Sequence, residues 1–314
     1  MQTRTVWVLQ DDRAGNVNQL LGVAEALNIP FEVKKITYTK WVRLPNVLRV
    51  NPFLGIWEKE LLKGPYPDVV LSAGRRAFPL ACALKKLSGE KTKIVQLMDP
   101  GFGGRNRADL LVIPKHDACK KITENMLVIT GCPHRVTAKK LATERQKWKK
   151  IFENYPAPRV SLIVGGATKN KPFTEKMAAK LLEQTLQLKP KSLLVTTSRR
   201  TPEKVVRFLQ THIPVPTFFY RFGDKAENPY FGLLAWGDKI VVTGDSMSMC
   251  SECASSGVPT YIFAPNGMVT PKHKRFHTSL YKAGYANPLG TVGPQTPAPN
   301  AAKVIAEEIK KRLK

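Results

Sequence analysis

The sequence predicts an α/β protein made of two doubly wound parallel sheets, one in each half of the chain. Three observations carry that expectation. Short runs rich in Val, Ile and Leu recur along the chain, with the length and β-branched character of strands buried on both faces. Turns and amphipathic segments separate these runs, so strand and helix alternate and the strands lie parallel. The alternation is interrupted once, by a charged stretch ending at Pro156 and Pro158, and then starts again. With 314 residues the chain is longer than one core usually spans. We therefore expect domains at 1–156 and 157–299, followed by a C-terminal helix over 300–314.

Taken in order, residues 5–9 (TVWVL) read as a first strand, 10–16 as a turn and 17–27 as a helix with Leu20, Leu21, Ala24 and Leu27 at helical spacing. Gly15 stands in that turn, where a backbone can approach a ligand closely. The turn lacks the Gly-x-Gly-x-x-Gly fingerprint, so nicotinamide dinucleotide binding, and an epimerase that depends on it, is not supported. Residues 31–38 are the second strand. Residues 40–67 mix aromatic, basic and proline positions, among them Trp41, Phe53 and Trp57. They suit a membrane interface or, equally, a buried irregular loop. Further strands fall at 68–72, 93–98, 110–113 and 127–130, with a helix over 77–87. Ligands of such sheets sit beyond the carboxyl ends of the strands. Asp11, Ser72, Arg75, Asp99, His116 and Asp117 all follow strands. With Gly15 and Asn16 of the first turn, they are expected to line one cleft.

Residues 134–156 read as a charged helical link. The second half then restarts with a strand at 159–164, the Gly165-Gly166 turn, a helix at 173–188 and a strand at 192–196. The turn Thr197-Ser-Arg-Arg-Thr-Pro202 caps a helix at 203–209, and residues 217–220 are another strand. Ile240, Val241 and Val242 form the next buried run, broken by Thr243-Gly-Asp-Ser246 with its turn and N-cap residues. A short helix follows to about Ser256, stopped by Gly257 and Pro259, and residues 260–263 form a strand. Asn300 caps a last helix to about Leu313.

The segment from Lys239 to Phe263 is the most informative. A helix start offers unpaired backbone N–H groups and a positive dipole end, which suits a phosphate. At about 100° per residue, Asp245, Ser248 and Glu252 share one helix face. A carboxylate repels phosphate but accepts well from a vicinal diol such as a ribose. Gly244, Asp245, Ser246 and Ser248 are thus candidates for the phosphates and Glu252 for the sugar ring. On spacing alone, a capped helix with a solvated Glu explains the segment as well. Gly165, Gly166 and Ser198-Arg199-Arg200 also follow strands and would converge on the same diphosphate, arginine offering a bidentate fork.

The chain carries 50 Lys and Arg against 24 Asp and Glu, a formal charge of +26. The excess is no tail: residues 1–156 hold 27 basic and 14 acidic side chains, leaving 23 and 10 for the rest. Such a field favours anionic partners, either phosphate-rich substrates or acidic lipid head groups; a solvated, lysine-biased surface is the alternative. No nucleic-acid motif accompanies it. No apolar run approaches the roughly 18 residues of a membrane span, and the N-terminal run is too short for a signal peptide. The five cysteines suggest free thiols in a reducing compartment. Cys250-x-x-Cys253 has no second pair to complete four metal ligands and reads as small core residues. His273 and His277 lack the Glu of a His-Glu-x-x-His zinc site.

The segment Ser251-Glu252-x-x-x-x-Gly257-x-Pro259, followed by a strand and Ala264-Pro265, resembles the donor-nucleotide segment of GT-B glycosyltransferases. Lys272-His-Lys-Arg-Phe-His277, Leu280 and Ala283-Gly284 resemble its continuation. Across nearly the whole chain, an ordered set of motifs resembles the bacterial branch of the mitochondrial-fission family named for plant elongated-mitochondria proteins. The set includes Asp12-x-Ala-Gly-Asn16, Ser72-Ala-Gly-Arg-Arg76, Asp99-Pro100, Pro114-x-His-Asp117, Thr197-Ser-Arg-Arg-Thr-Pro202, Asn228-Pro-Tyr230 and Thr243-Gly-Asp-Ser-x-Ser-Met-x-Ser-Glu252. One departure is Cys253, where that pattern usually has Ala.

The resemblance implies two Rossmann-like domains facing a cleft, a GT-B-like architecture, with a last helix crossing back to the first domain. It implies a metal-independent glycosyltransferase with no tightly bound cofactor. The donor would be a nucleoside diphosphate sugar, a UDP-sugar favoured, and the acceptor an envelope lipid or glycan precursor. Glu252 would hold the donor ribose, Lys274 and Arg275 the donor sugar or phosphate, and Asp11, Asp99 or His116 would serve as base. The expected place is the cytoplasm, peripheral to the inner face of the membrane. The alternative is a non-catalytic membrane adaptor on the same fold.

Overall fold

A computed structural model describes residues 4–39, 56–101, 103–117, 122–168 and 171–313. The expectations for residues 40–55 and for Cys119 lie outside them. The chain forms two compact units, Met1–Arg135 with Ala301–Lys314, and Val136–Asn300.

The first unit holds six parallel strands, β1 (Val6–Gln10), β2 (Phe31–Lys35), β3 (Val69–Ala73), β4 (Lys93–Leu97), β5 (Leu110–Pro114) and β6 (Met126–Ile129). Their order is β2-β1-β3-β4-β5-β6. On one face, Val8, Leu71 and Val112 pack with Leu20 and Leu27 of α1 (Ala14–Leu27) and Ile305 of the last helix, α10 (Ala301–Arg312). On the other, Leu9, Val70 and Leu111 pack with Phe78 and Leu84 of α2 (Gly74–Leu87). Each such side chain contributes about 1.5–3 kcal/mol by leaving water.

Several boundaries differ from the sequence expectation. Helix α1 starts at Ala14 rather than Val17, so Gly15 and Asn16 lie in its first turn. The cause is local: Asp11 accepts the Arg13 N–H at 2.9 Å, and the Arg13 carbonyl accepts from Asn16 and Val17. Strand β3 runs through Ala73 and α2 follows without a turn, so Ser72 lies inside the strand and Arg75 in the first helical turn. Strand β2 stops at Lys35, and Tyr38 forms an isolated bridge with Ile56.

The second unit repeats the architecture. Its strands are β7 (Arg159–Ile163), β8 (Ser192–Thr196), β9 (Thr217–Tyr220), β10 (Lys239–Thr243), β11 (Thr260–Phe263) and β12 (Asn287–Pro288), all parallel in the order β12-β11-β10-β7-β8-β9. Helices α5 (Glu175–Leu186) and α6 (Glu203–His212) cover one face through Leu181 and Leu209. The other face carries α3 (Ala138–Lys147), α4 (Lys149–Phe152), α7 (Tyr230–Trp236), α8 (Met247–Ala254) and α9 (Pro271–Lys282). Chain order reverses between β10 and β7, and ligands of open α/β sheets favour such a switch point.

The charged link divides into α3 and α4 and packs within this second unit, which begins at Val136 rather than at the expected 157. Two of its aromatic residues explain why. Trp148 and Phe152 stack at 5.4 Å, and Phe152 meets Phe218 edge-on at 5.0 Å inside the second core. Cys250 and Cys253 are buried free thiols of the same core.

Candidate active site

Three strand-end turns of the second unit meet on one carboxylate. The Asp245 side chain, fully buried after β10, accepts from the Gly166 N–H at 2.9 Å, the Thr243 hydroxyl at 2.7 Å and the Arg200 guanidinium at 2.8 Å. The Gly165 N–H donates to Thr243 Oγ1 at 2.7 Å. Arg200 also donates to the Ala167 carbonyl at 3.2 Å. Asp245 therefore ties the ends of β7, β8 and β10 together. A buried carboxylate needs this many donors, because an unpaired one would be strongly penalised.

The glycines make the approach possible. A Cβ on Gly165 would overlap the Asp245 carboxylate, and one on Gly166 the Arg200 carbonyl. A Cβ on Gly244 would lie 2.5 Å from the His277 ring. The expectation that Gly165, Gly166 and Asp245 face a diphosphate is corrected here: both glycine N–H groups already have protein acceptors, and Asp245 is one of them. At the surface of these turns lie the half-exposed Ser246 and Ser248 at the start of α8, exposed Arg199, and Arg200, whose side chain is 39% exposed. Ser246 caps α8 through the Met249 N–H at 3.4 Å, and Ser198 helps close the β8 turn by accepting the Arg200 N–H at 3.2 Å.

Glu252 lies on α8 and is only 5% exposed. It accepts a short hydrogen bond from the Tyr230 hydroxyl of α7. Burial pushes the carboxyl up to about 7, against the pull of the Tyr230 hydrogen bond. Burial, with the Glu252 charge beside it, pushes the Tyr230 hydroxyl well above its ordinary range. The alternative reading of Glu252 as a solvated glutamate does not fit this burial. Asp245 and Glu252 also differ in kind: one is locked by three donors, the other held by one.

Helix α9 meets the same turn through its histidines. His277 Nε2 lies 2.9 Å from the Gly244 carbonyl, and His273 hydrogen-bonds with the Asp245 backbone while its Nδ1 pairs with Thr270 at 2.7 Å. Lys274 points elsewhere, to Asn266 at 3.4 Å, and Arg275 is exposed. The histidines of α9, rather than the Lys274 and Arg275 expected from the sequence, touch this turn.

In the first unit the candidates separate into clusters. Asp11 is buried and accepts from the Arg13 N–H, from Asn16 Nδ2 at 3.0 Å and from Arg76 at 3.4 Å. Arg76 also pairs with Asp12, which that hydrogen bond holds below the usual carboxylate range. Asp11 is a turn clasp, not a base reaching for a substrate proton. Ser72 is fully buried and donates to Gln96 at 2.5 Å, so it lines no cleft. Gly15 and Arg75 are exposed in the first turns of α1 and α2.

Asp99, 35% exposed, accepts from the Gly101 N–H at 3.0 Å and from Arg105 at 2.5 Å, and the Arg105 hydrogen bond lowers its pKa. That weakens it as a base. It borders a cavity of about 480 Å³ with Gly101, Gly103, Arg105 and Asn106. His116 and Asp117 sit in a 3₁₀ turn rather than an extended segment, which brings His116 Nε2 within 3.8 Å of the Asp117 carboxylate. The His116 side chain is buried.

Tyr230, Thr243, Arg76, His273 and His277 were not singled out as site residues. Each lies inside a quoted sequence motif, but only the folded chain shows which motif touches which. Among the described residues, no cluster of three or more His, Cys, Asp or Glu could hold a metal ion. No helix among them is long and apolar enough to cross a membrane.

A protein-family model described as "Mitochondrial fission ELM1" matches residues 14–313. Uncharacterized protein RP120 of Rickettsia prowazekii (strain Madrid E) is 30% identical over 355 aligned positions, spanning 98% of both chains. Mitochondrial fission protein ELM1 of Arabidopsis thaliana is 28% identical over 219 positions, covering 62% of this chain and 51% of its own length. Among solved structures, MurG of Acinetobacter baumannii superposes with a TM-score of 0.52 at 15% identity, over 98% of this chain and 99% of that one. UDP-GlcNAc 2-epimerase of Methanocaldococcus jannaschii, solved with UDP-GlcNAc and UDP, gives 0.54 at 16% identity over 98% and 99%. At these identities the likeness shows the fold, the pair of Rossmann-like domains of GT-B proteins, and that fold houses both glycosyl transfer and 2-epimerisation.

Proposed function

The chain belongs to the mitochondrial fission ELM1 family, and from that premise we propose that its second unit binds a nucleoside diphosphate sugar, a UDP-sugar in the first instance, for glycosyl transfer. The observation that carries the reading is Glu252: a carboxylate two turns into α8, sheltered from bulk water and held by Tyr230, beyond the carboxyl end of β10. A ribose diol donates two hydrogen bonds, and a carboxylate accepts such a pair well. The start of α8 at Ser246 and Ser248, with Arg199 and Arg200, would face the diphosphate. There they stabilise the charge that develops as the sugar–phosphate bond breaks.

In the transfer step an acceptor hydroxyl oxygen bonds to the anomeric carbon. The bond from that carbon to the phosphate oxygen breaks, UDP leaves with the electron pair, and the hydroxyl proton passes to a base. Of the first-unit candidates, His116 is the one whose ordinary pKa suits a base near neutrality. An envelope lipid or glycan precursor is the acceptor this reading favours.

Isothermal titration with UDP, GDP and UDP-GlcNAc tests it. We expect UDP to bind, and Glu252→Gln to weaken it by about 10- to 100-fold, the loss of charge-assisted hydrogen bonds of about 1.5–3 kcal/mol. Wild-type protein that binds none of the three removes the proposal. The formal charge of +26 favours a second reading, a non-catalytic adaptor on an anionic membrane surface. It is supported by salt-sensitive sedimentation with vesicles containing anionic lipid, coupled to no nucleotide binding.

A further inference from the structure

The second unit has another concavity, at the β12 edge of its sheet. Strand β12 is only two residues long, so the helical layers on the two faces look past it toward each other. Lys180 and Gln184 reach in from α5, and Lys274 and Thr278 from α9, around a cavity of about 340 Å³ floored by Phe263 and Leu289. That volume lies at the lower end of the range for small-molecule sites, about 300–1,000 Å³. Among the described residues no carboxylate lines it. Neither lysine has an ion-pair partner among them; Lys274 meets only the neutral Asn266.

This balance is unusual within the chain itself. The cations that line two other cavities are neutralised: Arg105 by Asp99, Lys93 by Asp109, Arg312 by Glu308. Two ammonium groups without a carboxylate across one concavity raise the local positive potential. Lysine binds phosphate as a point charge. Gln184 and Thr278 add neutral donors, and Phe263 and Leu289 add an apolar floor.

We infer that the cavity between α5 and α9 is a second anion site, taking a small phosphate monoester whose body is flat and apolar. It is separate from the Asp245 turn, although His277 stands between the two, lining the cavity and touching the Gly244 carbonyl. The inference does not rest on the nucleotide-sugar reading: absence of UDP binding would end that reading and leave this one standing.

The test is calorimetric titration of the full chain, at fixed ionic strength, with phenyl phosphate and with inorganic phosphate. Phenyl phosphate is expected to bind, and inorganic phosphate about tenfold more weakly for want of an apolar body. Lys180→Glu should weaken phenyl phosphate at least about tenfold, and Lys180→Arg should restore it. Lys180 is exposed, so both variants should fold. The inference is overturned if wild-type protein does not bind phenyl phosphate, or if Lys180→Glu binds it as tightly.

Discussion

Replacing Glu252 with Gln should change how stability depends on pH, and the sign follows from burial. An ordinary glutamate releases its proton near 4.5, whereas burial holds the folded Glu252 carboxyl up to about 7. Between those values the folded chain keeps a proton that the unfolded chain has lost. Raising the pH through that window therefore destabilises the folded state. Each pH unit is worth about 1.4 kcal/mol, so the full span amounts to at most about 3.5 kcal/mol. Gln is nearly isosteric and does not titrate. The stability of wild type minus that of Glu252→Gln should fall by up to this amount between pH 4.5 and pH 7.5, then level off. Urea unfolding at half-unit pH steps measures the difference, and every other titrating group cancels in the subtraction. A difference that stays flat from pH 5 to pH 8 refutes the reasoning. It would mean that the Glu252 carboxyl is hydrated in solution and that Tyr230 does not shelter it. UDP affinity should rise through the same pH window, because the ionised carboxylate is the better acceptor for a diol.

Tyr230→Phe removes the hydrogen bond that lowers the Glu252 pKa, so the pH-dependent fall in stability should move to higher pH than in wild type; a midpoint that moves down, or not at all, contradicts the role given to that hydroxyl. Asp245→Ala leaves the Gly166 N–H without its acceptor and Arg200 without its carboxylate. The stranded N–H dominates, and the partly exposed ion pair adds less because water screens it, for a total of about 2–3 kcal/mol. Thermal unfolding reads this directly, and a loss below about 0.5 kcal/mol would show that the three turns hold together without the clasp.

Much of the fold was legible because strand burial leaves a plain signature. Runs such as Val69-Val-Leu71, Leu110-Leu-Val-Ile113 and Ile240-Val-Val242 are apolar on both faces and became central strands. Boundaries were less legible, since they depend on bonds between distant residues or on single side-chain caps. The early start of α1 follows from one Asp11 hydrogen bond, and the placement of α3 and α4 follows from where Trp148 and Phe152 find other aromatics. Helix α7 is only seven residues, and its one local start signal is Asn228-Pro229, whose Asn228 Oδ1 accepts the Tyr230 N–H at 3.0 Å. The site was legible as motifs but not as contacts. Glu252 was picked from spacing, but its partner Tyr230 lies 22 residues away on another helix. Lys274 and Arg275 stood out as charges, although the imidazoles of His273 and His277 are what touch the turn.

The Asp245 clasp constrains where a diphosphate could go. A phosphate placed against Gly165 and Gly166 would have to displace a fully buried carboxylate from three donors and would meet its negative charge at short range. That position is already filled by the protein's own anion. The remaining positive potential lies outward of the clasp, at the first turn of α8 and at Arg199, with Arg200 half neutralised by its partner. The clasp nonetheless serves an anion bound there. It fixes the β10 turn from which α8 starts and holds the Arg200 side chain in one orientation, so less disorder is lost when a ligand arrives. Asp245 and Glu252, seven residues apart on one segment, thus differ in use: the first is spent on rigidity, and the second, raised to about 7 by burial, is the acceptor on which the proposed ribose contact depends.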